Sequence, residues 1–427
     1  MATTEELLER RYRVLGRGSP LFYDKPLHLV RGEGVWLYDA DGRRYLDAYN
    51  NVPHVGHCHP HVVEAIARQA ATLNTHTRYL HEGIVSYAER LTATFDPELS
   101  MVFLACTGSE ANEIALRMAT VCTGHRGVIC TRFAYHGNTT AVAQLSTVFP
   151  PPEGFGPHIR AVAAPDSYRD PRGADGALRP DAWLKSIEEA CESLRASGQG
   201  VAAMLFDTIF SSEGLPDLVP EFLAQAAATV RRAGGIYIAD EVQPGFGRTG
   251  ATMWGYQHYG VVPDVVTLGK PMANGHPVSG VVARAELATE FASKVMYFNT
   301  FGGNPVSCAA ANAVIDVLEK ERLQENARVV GAYAIEGLKR LAAKHDLIGD
   351  VRGRGLFFGA ELVKDRRSRE PATAETKRVV NAMRERGVLL SRIGVHDNVL
   401  KIRPPMAFSK DNADLLLATL DEALGSV

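Results

Sequence analysis

One lysine follows a strand pattern near the middle of the chain. The β-branched run at 265–268 ends in Gly269-Lys270 and then in a turn rich in proline and glycine. This pattern predicts a buried strand that carries Lys270 at its end. Apolar surroundings disfavour the ammonium form of lysine, and a neutral amine can form a Schiff base with a carbonyl group. A surface lysine in a loop is the other interpretation of this run taken alone.

A second run places acidic residues in a comparable position. Two glycines are followed by an apolar strand pattern at 236–239 and then by Asp240-Glu241. Ligands of open α/β sheets bind at the carboxyl ends of the strands. An aspartate at such an end can hold a proton on a pyridine nitrogen. We therefore expect Asp240 to face an aromatic nitrogen base.

A third run has the composition of an anion-binding turn. Apolar residues 101–104 precede Thr107-Gly108-Ser109, and a helix-forming stretch follows at 114–119. A strand, a turn and a helix N-terminus together present N–H groups and hydroxyls to a phosphate. Taken alone, the same run also fits an ordinary capped helix. A capturing lysine, an aspartate and a phosphate cradle are what pyridoxal 5'-phosphate (PLP) requires.

Over nearly its whole length the chain resembles the class III, fold-type I family of PLP-dependent aminotransferases. The resemblance rests on Thr107-Gly108-Ser109-Glu110-Ala111-Asn112, Tyr135-His136-Gly137, Asp240-Glu241-Val242-Gln243 with Gly245-Phe246-Gly247-Arg248, and Leu268-Gly269-Lys270. It implies an α/β, fold-type I PLP-dependent transferase, with a mostly parallel central sheet in a large domain plus a smaller α+β domain. The implied parts are an N-terminal segment that joins the small domain (1–55), a large PLP-binding domain (56–310) and a C-terminal small domain (311–427).

The resemblance also implies roles for the three chemical groups. Lys270 would hold PLP and then act as the general base at the amine-bearing carbon of the substrate. Asp240 would keep the ring nitrogen protonated, so that the ring can accept an electron pair. The cradle at Thr107, Gly108 and Ser109 would bind the cofactor phosphate.

Further residues are assigned to the cofactor by the same resemblance. Gln243 would bond the phenolic oxygen of the ring, and Val242 would pack on the face opposite Tyr135 or His136. Either aromatic could instead be a core residue. Thr300 would reach the PLP phosphate of the neighbouring subunit, which implies a homodimer with shared active sites. Its alternative role is to cap the helix that follows.

A finer resemblance concerns one branch of the family, which contains ethanolamine-phosphate and hydroxylysine-phosphate phospho-lyases. The similar runs are 51–60, 80–85, 269–277, 302–309, 364–365, 371–375 and 398–402. They imply a lyase that performs β-elimination of phosphate from a phosphorylated amino alcohol such as O-phosphoethanolamine. Aldehyde, ammonia and phosphate would be the products.

One departure from that branch keeps a second reaction open. Arg403 stands where the lyases are expected to have lysine, and Glu213 matches the glutamate that pairs with such an arginine in ornithine aminotransferase. A Glu213–Arg403 switch that frees the arginine for a substrate carboxylate would suit a class III (omega) aminotransferase, which moves an amino group from an amine or omega-amino acid to a keto acid. The guanidinium would equally suit a phosphate, and a buried salt bridge between domains is a further alternative. Arg78 is either a connector or a contact to an anionic substrate group.

The composition of the chain bears on its possible partners, its compartment and the presence of a metal site. The 427 residues include 46 basic and 49 acidic ones, a net charge near −3 that gives no reason to expect nucleic acid or a membrane surface as partner. No apolar run approaches the roughly 18 residues of a membrane span. Six scattered cysteines without a C-x-x-C pair favour reduced thiols and a cytoplasmic protein. We expect no metal site, and interpret the histidine-rich run at 57–61 as a turn that opens a helix.

A PLP-type fold without chemistry, acting as a binding module, is the alternative from another class. The presence of both Lys270 and Asp240 argues against it.

Local patterns predict several elements. They are a capped helix at 3–15, a hairpin around Asp41-Gly42, a long surface excursion at 149–176, one helical region at 306–344 and one strand at 353–363.

Overall fold

Helices and strands alternate along most of the chain in the computed structural model, which describes residues 2–170 and 178–427. The strands are β1 (Leu29–Glu33), β2 (Trp36–Asp39), β3 (Arg44–Asp47), β4 (Leu99–Ala105), β5 (Val128–Thr131), β6 (Ile159–Val162), β7 (Ala203–Asp207), β8 (Ile236–Asp240), β9 (Val265–Leu268), β10 (Ser279–Arg284), β11 (Ile348–Arg354), β12 (Phe357–Leu362), β13 (Val388–Leu389), β14 (Ser391–Ile393) and β15 (Val399–Ile402). The α-helices are α1 (Thr4–Leu15), α2 (Pro60–Thr72), α3 (Glu82–Thr92), α4 (Gly108–Thr123), α5 (Thr140–Ala143), α6 (Asp181–Ala196), α7 (Phe222–Arg232), α8 (Ala285–Lys294), α9 (Pro305–Lys320), α10 (Leu323–Lys344), α11 (Thr373–Glu385) and α12 (Lys410–Gly425), and a 3-10 helix spans Gly255–Tyr259.

A seven-stranded sheet carries the strands that the candidate site requires. Its order is β4-β10-β9-β8-β7-β5-β6, and all neighbours are parallel except β10, which is antiparallel to β4 and β9. Every residue of β7, β8 and β9 is buried, which explains their nearly continuous apolar sequences. The expected mostly parallel sheet is confirmed.

Two smaller sheets involve the ends of the chain. The antiparallel strands β1, β2 and β3 are joined by β13, which pairs in parallel with β3 so that Val388 lies opposite Leu46. The other sheet has the order β11-β12-β15-β14 and is antiparallel. N-terminal and C-terminal segments thus share one sheet, while the division of the chain at residues 55 and 310 stays a prediction.

Several local predictions are confirmed. In the capping box of α1, the backbone N–H of Glu6 donates to Thr3 Oγ1 at 3.1 Å and the backbone N–H of Thr3 donates to Glu6 Oε2 at 2.9 Å. The hairpin around Asp41-Gly42 joins β2 to β3. The predicted surface excursion at 149–176 is wrong in part, because β6 (Ile159–Val162) lies within it as an edge strand of the central sheet with both of its end residues buried. Residues 171–176 of this segment lie outside the described residues.

Two predictions of continuous elements are wrong. The helical region at 306–344 is divided into α9 and α10 at Arg322, which has a left-handed φ of 53°. The strand at 353–363 is a hairpin of β11 and β12 that turns at Gly355, where φ is also 53°. In both places a left-handed residue reverses or redirects a chain whose apolar pattern continues across the break.

None of the described helices combines the length and the apolar character that a membrane crossing demands.

The helix α10 packs closely on the hairpin turn through Gly331. A Cβ atom at this position would lie 2.0 Å from the carbonyl oxygen of Gly355. We expect Gly331→Ala to lower the free energy of unfolding by about 1–3 kcal/mol or more, because the backbone of the turn must move. Thermal denaturation measures the effect. The control is Gly425→Ala in α12, where a Cβ meets nothing within 4 Å, and equal melting temperatures for the two variants would contradict the prediction.

Candidate active site

The three groups that the sequence singled out lie at neighbouring strand ends. Asp240 is the last residue of β8, and Lys270 follows β9, which pairs in parallel with β8. The side chain of Val242 packs against Gly108 at the start of α4 and against Gly269, the residue before Lys270. A Cβ atom placed on Gly108 would lie 3.4 Å from Val242 Cγ2, and one placed on Gly269 would lie 3.3 Å from Val242 Cγ1. The parallel sheet therefore brings Lys270, Asp240 and the expected cradle to one edge.

Asp240 is buried and held by three donors. Its carboxylate accepts from His136 Nδ1 at 2.7 Å, from Asn112 Nδ2 at 3.1 Å and from the backbone N–H of Val242 at 3.0 Å. These bonds fix the plane of the carboxylate, as an aspartate must be fixed to meet a ring nitrogen. Asn112 was not predicted for this role, although it lies in the quoted cradle motif and four residues after Gly108 on the same helical face.

His136 and Tyr135 occupy different environments. The side chain of His136 is fully buried behind the Asp240 carboxylate, so it is not available to stack on a ring in the cleft. Tyr135 is 40% exposed and packs edge-on against Phe149, with ring centroids 6.0 Å apart. Of the two candidates, Tyr135 remains the predicted stacking partner and His136 supports Asp240.

The expected phosphate cradle forms the capped N-terminus of α4, which agrees with the other interpretation of this run as an ordinary capped helix. Thr107 Oγ1 accepts from the backbone N–H of Glu110 at 3.2 Å, and Glu110 Oε2 accepts from the backbone N–H groups of Thr107 and Cys106 at 2.8 and 2.9 Å. The N–H groups of Gly108 and Ser109 belong to the first turn and have no acceptor within the helix. They are free to meet an anion at the positive end of the helix dipole. Phosphate binding here stays a prediction.

Lys270 is the electrostatically perturbed group of the cleft. Its side chain is reachable by solvent, yet the surrounding protein desolvates the ammonium and, with Arg403, lowers the pKa of Lys270 to about 8, against the opposing effect of Asp240 and Asp207. Within the described residues no hydrogen bond holds its amine. Much of the Lys270 population is therefore a neutral nucleophile at mildly alkaline pH.

Lys401, which the sequence reasoning missed, is a second cation beside Arg403. Both side chains are buried, and both donate to Gln243 Oε1, Lys401 from Nζ at 3.4 Å. Burial lowers the pKa of Arg403 to about 10, and burial with the charges of Arg403 and Lys270 lowers the pKa of Lys401. The signal in the sequence was the spacing, since alternate residues of a strand face the same side.

The expected Glu213–Arg403 pair is not formed. Glu213 accepts a hydrogen bond from Thr131 Oγ1, and burial with the charge of Asp207 raises the pKa of Glu213 to about 7. Arg403 instead bonds Gln243 and, from Nε, the backbone carbonyl of Tyr49 at 3.4 Å. Within residues 2–170 and 178–427, Glu213 and Arg403 therefore form neither the expected switch pair nor an interdomain salt bridge with each other. The substrate role of Glu213 has no support from this geometry.

Arg78 and Thr300 are exposed in the single chain. The Arg78 guanidinium lies 4.5 Å from the centre of the Phe298 ring. No hydrogen bond or ion pair in the described part of the chain connects either residue to Lys270 or Asp240. The role of Thr300 at the neighbouring subunit's PLP and the role of Arg78, as a connector or as a contact to an anionic substrate group, stay predictions.

The histidine-rich run at 57–61 does not converge on one point. Its three histidines contact three different carboxylates, in the pairs His57–Asp47, His59–Glu321 and His61–Asp316. They act as separate polar contacts of α2 and the segment before it.

The geometry matches what comparison with known proteins shows. The family model described as "Aminotransferase class-III" matches residues 22–424. The chain belongs to the class III aminotransferase family. It is therefore a PLP-dependent enzyme with the fold-type I architecture.

Three relatives illustrate the range of activities. A phospholyase from Arthrobacter in complex with phosphoethanolamine is 50% identical, with a TM-score of 0.96 and coverage of 99% of this chain and 100% of that chain. The Drosophila melanogaster protein named alanine–glyoxylate aminotransferase 2-like is 45% identical over 436 residues, which cover 99% of this chain and 87% of the relative. The Caenorhabditis elegans ethanolamine-phosphate phospho-lyase homolog 1 is 39% identical and covers 98% of this chain and 93% of the relative.

The residues present fit PLP. Lys270 offers an amine without a hydrogen-bond partner, Asp240 is oriented by three donors, and Gly108 and Ser109 present N–H groups. When bound, PLP supplies an electron sink for a proton removed from the substrate amine carbon. We propose that Val242 and Tyr135 flank the ring.

Two lysines with lowered pKa lie in the cleft, and we expect only Lys270 to capture PLP covalently. After incubation with PLP and borohydride reduction, mass spectrometry should show one added pyridoxyl phosphate in the wild type and in Lys401→Met, and none in Lys270→Ala. Capture by the apoenzyme should accelerate as pH rises from 7 and level off above about 8, because only the neutral amine attacks. Labelling of Lys270→Ala at wild-type yield would contradict the assignment.

Proposed function

We propose that this enzyme is a PLP-dependent phospho-lyase that acts on a phosphorylated amino alcohol such as O-phosphoethanolamine. The carbon–oxygen bond to phosphate breaks after proton loss from the amine-bearing carbon, and water then converts the remaining two-carbon fragment to aldehyde and ammonia. The observation that carries this proposal is a pair of buried cations, Lys401 and Arg403, beside Lys270. Neither of them has an ion-pair partner within the described residues.

Buried cations without an anionic partner are costly, because they lose hydration and gain no compensating charge. A phosphate brings two negative charges and several acceptor oxygens to such a pair. The planar guanidinium of Arg403 can bind two of these oxygens, and the Lys401 ammonium a third. The same cations would stabilise the leaving group as its charge grows during elimination.

Lys270 has the properties of the required base. Its pKa of about 8 is low enough for a neutral amine near physiological pH and high enough for that amine to accept a proton. Asp240, oriented by His136 and Asn112, faces the side of the cleft where the ring nitrogen would lie. The relatives support the substrate class, since two of the three described above are named as phospho-lyases or phospholyases.

An omega-aminotransferase is the second candidate function. The relative from Drosophila melanogaster carries an aminotransferase name, and Arg403 suits a carboxylate as well as a phosphate. Both reactions begin with the same proton removal, so Lys270 and Asp240 serve either. They differ in whether a group leaves from the neighbouring carbon.

We also propose that two copies of the chain form a homodimer with shared sites. Leu80 is fully exposed at 101% and Phe301 is 70% exposed, and Phe301 directly follows Thr300, the residue expected to serve the partner's site. Large exposed apolar side chains of this kind mark interfaces. The six cysteines are all free, which suits a reducing compartment such as the cytoplasm.

Turnover without a keto acid tests the leading function. We expect holoenzyme and phosphoethanolamine alone to release phosphate and ammonia in equal amounts over many turnovers, because elimination regenerates the cofactor. Phosphate and ammonia assays measure this, with Lys270→Ala as the inactive control. A single turnover without phosphate release, followed by alanine formation when pyruvate is added, would instead establish the aminotransferase.

Removing either buried cation should weaken binding of the anionic end of the substrate. We expect Lys401→Met and Arg403→Met each to raise the KM for phosphoethanolamine about ten-fold or more, since hydrogen bonds to charged groups contribute roughly 1.5–3 kcal/mol. Steady-state phosphate release measures KM. Lys185→Met, which removes an exposed lysine of α6, is the control; a wild-type KM in both cleft variants would contradict the placement of the phosphate.

A further inference from the structure

The amide of Gln243 has a fixed orientation for chemical reasons. Arg403 and Lys401 carry donors only, and both are directed at the same end of this side chain. That end must therefore be the carbonyl oxygen, Oε1. The opposite end, Nε2, lies 2.6 Å from Ser211 Oγ and must donate to it.

Ser211 completes the chain of donors. Its hydroxyl accepts from Gln243, so its single hydrogen is free to donate to Asp207 Oδ2, with which it is in contact. The carboxylate of Asp207 also accepts from the backbone N–H groups of Ile209 at 3.0 Å and Ser211 at 3.2 Å. Asp207 is the acceptor in all of these hydrogen bonds. The Ser211 hydroxyl satisfies both Gln243 and Asp207 in one orientation only, in which it accepts from Gln243 and donates to Asp207.

The fold accounts for this juxtaposition. Asp207 ends β7 and lies opposite Asp240 at the end of β8. Ser211 and Gln243 follow these two aspartates by four and three residues in adjacent loops. Lys401 in β15 and Arg403, which directly follows this strand, reach the same point from another sheet. The network therefore connects the rigid edge of the central sheet with residues of the smaller sheet.

We propose that Ser211, held by Asp207, is a positioning residue that locks the Gln243 amide with its carbonyl towards Lys401 and Arg403. The lock keeps the two cations in place to bind the anionic end of the substrate. If the amide turned over, its NH2 group would face the cations, and they would move away from it. This inference rests on the anion-binding part of the proposed function and holds for a phosphate or a carboxylate.

The test compares two neighbouring serines in the holoenzyme. Ser211→Ala removes the lock, whereas Ser212→Ala makes the same chemical change at a side chain that has no hydrogen bond within the described residues. Isothermal titration with inorganic phosphate and with propionate, as separate probes, measures the anion site.

We expect Ser211→Ala to weaken binding of inorganic phosphate about five-fold or more and to raise the KM for phosphoethanolamine in parallel, because one oriented hydrogen bond is lost. The kcat value should stay within about two-fold, since the base is untouched. Ser212→Ala should bind both probes as the wild type does.

Phosphate and propionate affinities of Ser211→Ala equal to those of the wild type would overturn the inference, as would an equal loss in Ser212→Ala. A wild type that binds neither probe would overturn it too. A wild type that binds the probes but releases no phosphate from phosphoethanolamine would contradict the phospho-lyase proposal alone. The titrations would still decide the role of Ser211.

Discussion

The balance of buried charge at the ends of β7, β8 and β9 constrains the rest of the site. Arg403 lowers the pKa of both Lys270 and Lys401, while Asp207, Asp240 and Asp47 each oppose the shift of one or more of the three cations. Lys401 and Arg403 are buried, and neither has an ion-pair partner among the described residues. Because burying an uncompensated cation is costly, the arrangement favours either a neutral Lys270 or a bound anion. Both outcomes are needed for chemistry on an anionic amine.

The hydrogen bonds of the two aspartates separate their functions. Asp240 is surrounded by donors from α4, the Tyr135-His136 turn and its own loop, and these keep its carboxylate directed into the cleft. Asp207 is instead in contact with the Ser211 hydroxyl. Two carboxylates in register on neighbouring strands would otherwise compete for the same partner. Their different loops fit the predicted role of Asp240 at the cofactor and the proposed role of Asp207 among the cations.

The sequence was informative where a function is encoded by a local pattern. Lys270, Asp240 and Thr107 each follow a strand pattern directly, so their place at the edge of a parallel sheet could be predicted. Lys401 and Asn112 could not be assigned in this way, because their partners are 158 and 128 residues away in the chain. The structure does not pair Glu213 with Arg403: a matched motif indicates which residues are present but not which way a buried side chain turns.

The break at Arg322 shows a related limit in the fold. An apolar pattern continues from α9 into α10, and no proline or glycine marks the left-handed residue that separates them. Tertiary packing on the rest of the chain, and not local propensity, sets that boundary.

The position of the positive charge relative to the base bears on which reaction follows proton removal. Elimination requires stabilisation of a departing anion on the carbon next to the one that Lys270 deprotonates, whereas transamination requires only that the proton be returned. Arg403 lowers the pKa of Lys270, and Lys270 lowers the pKa of Lys401, so on the proposed function a group bound by the two cations would lie near the reacting carbons if the substrate is short. A two-carbon phosphorylated amine has that length, and its leaving group would already be bound by the cations when the bond breaks. A longer omega-amino acid would place its carboxylate at the same cations with no group to expel. On the proposed function, the length and charge of the substrate would therefore decide whether elimination follows the proton removal that both reactions share.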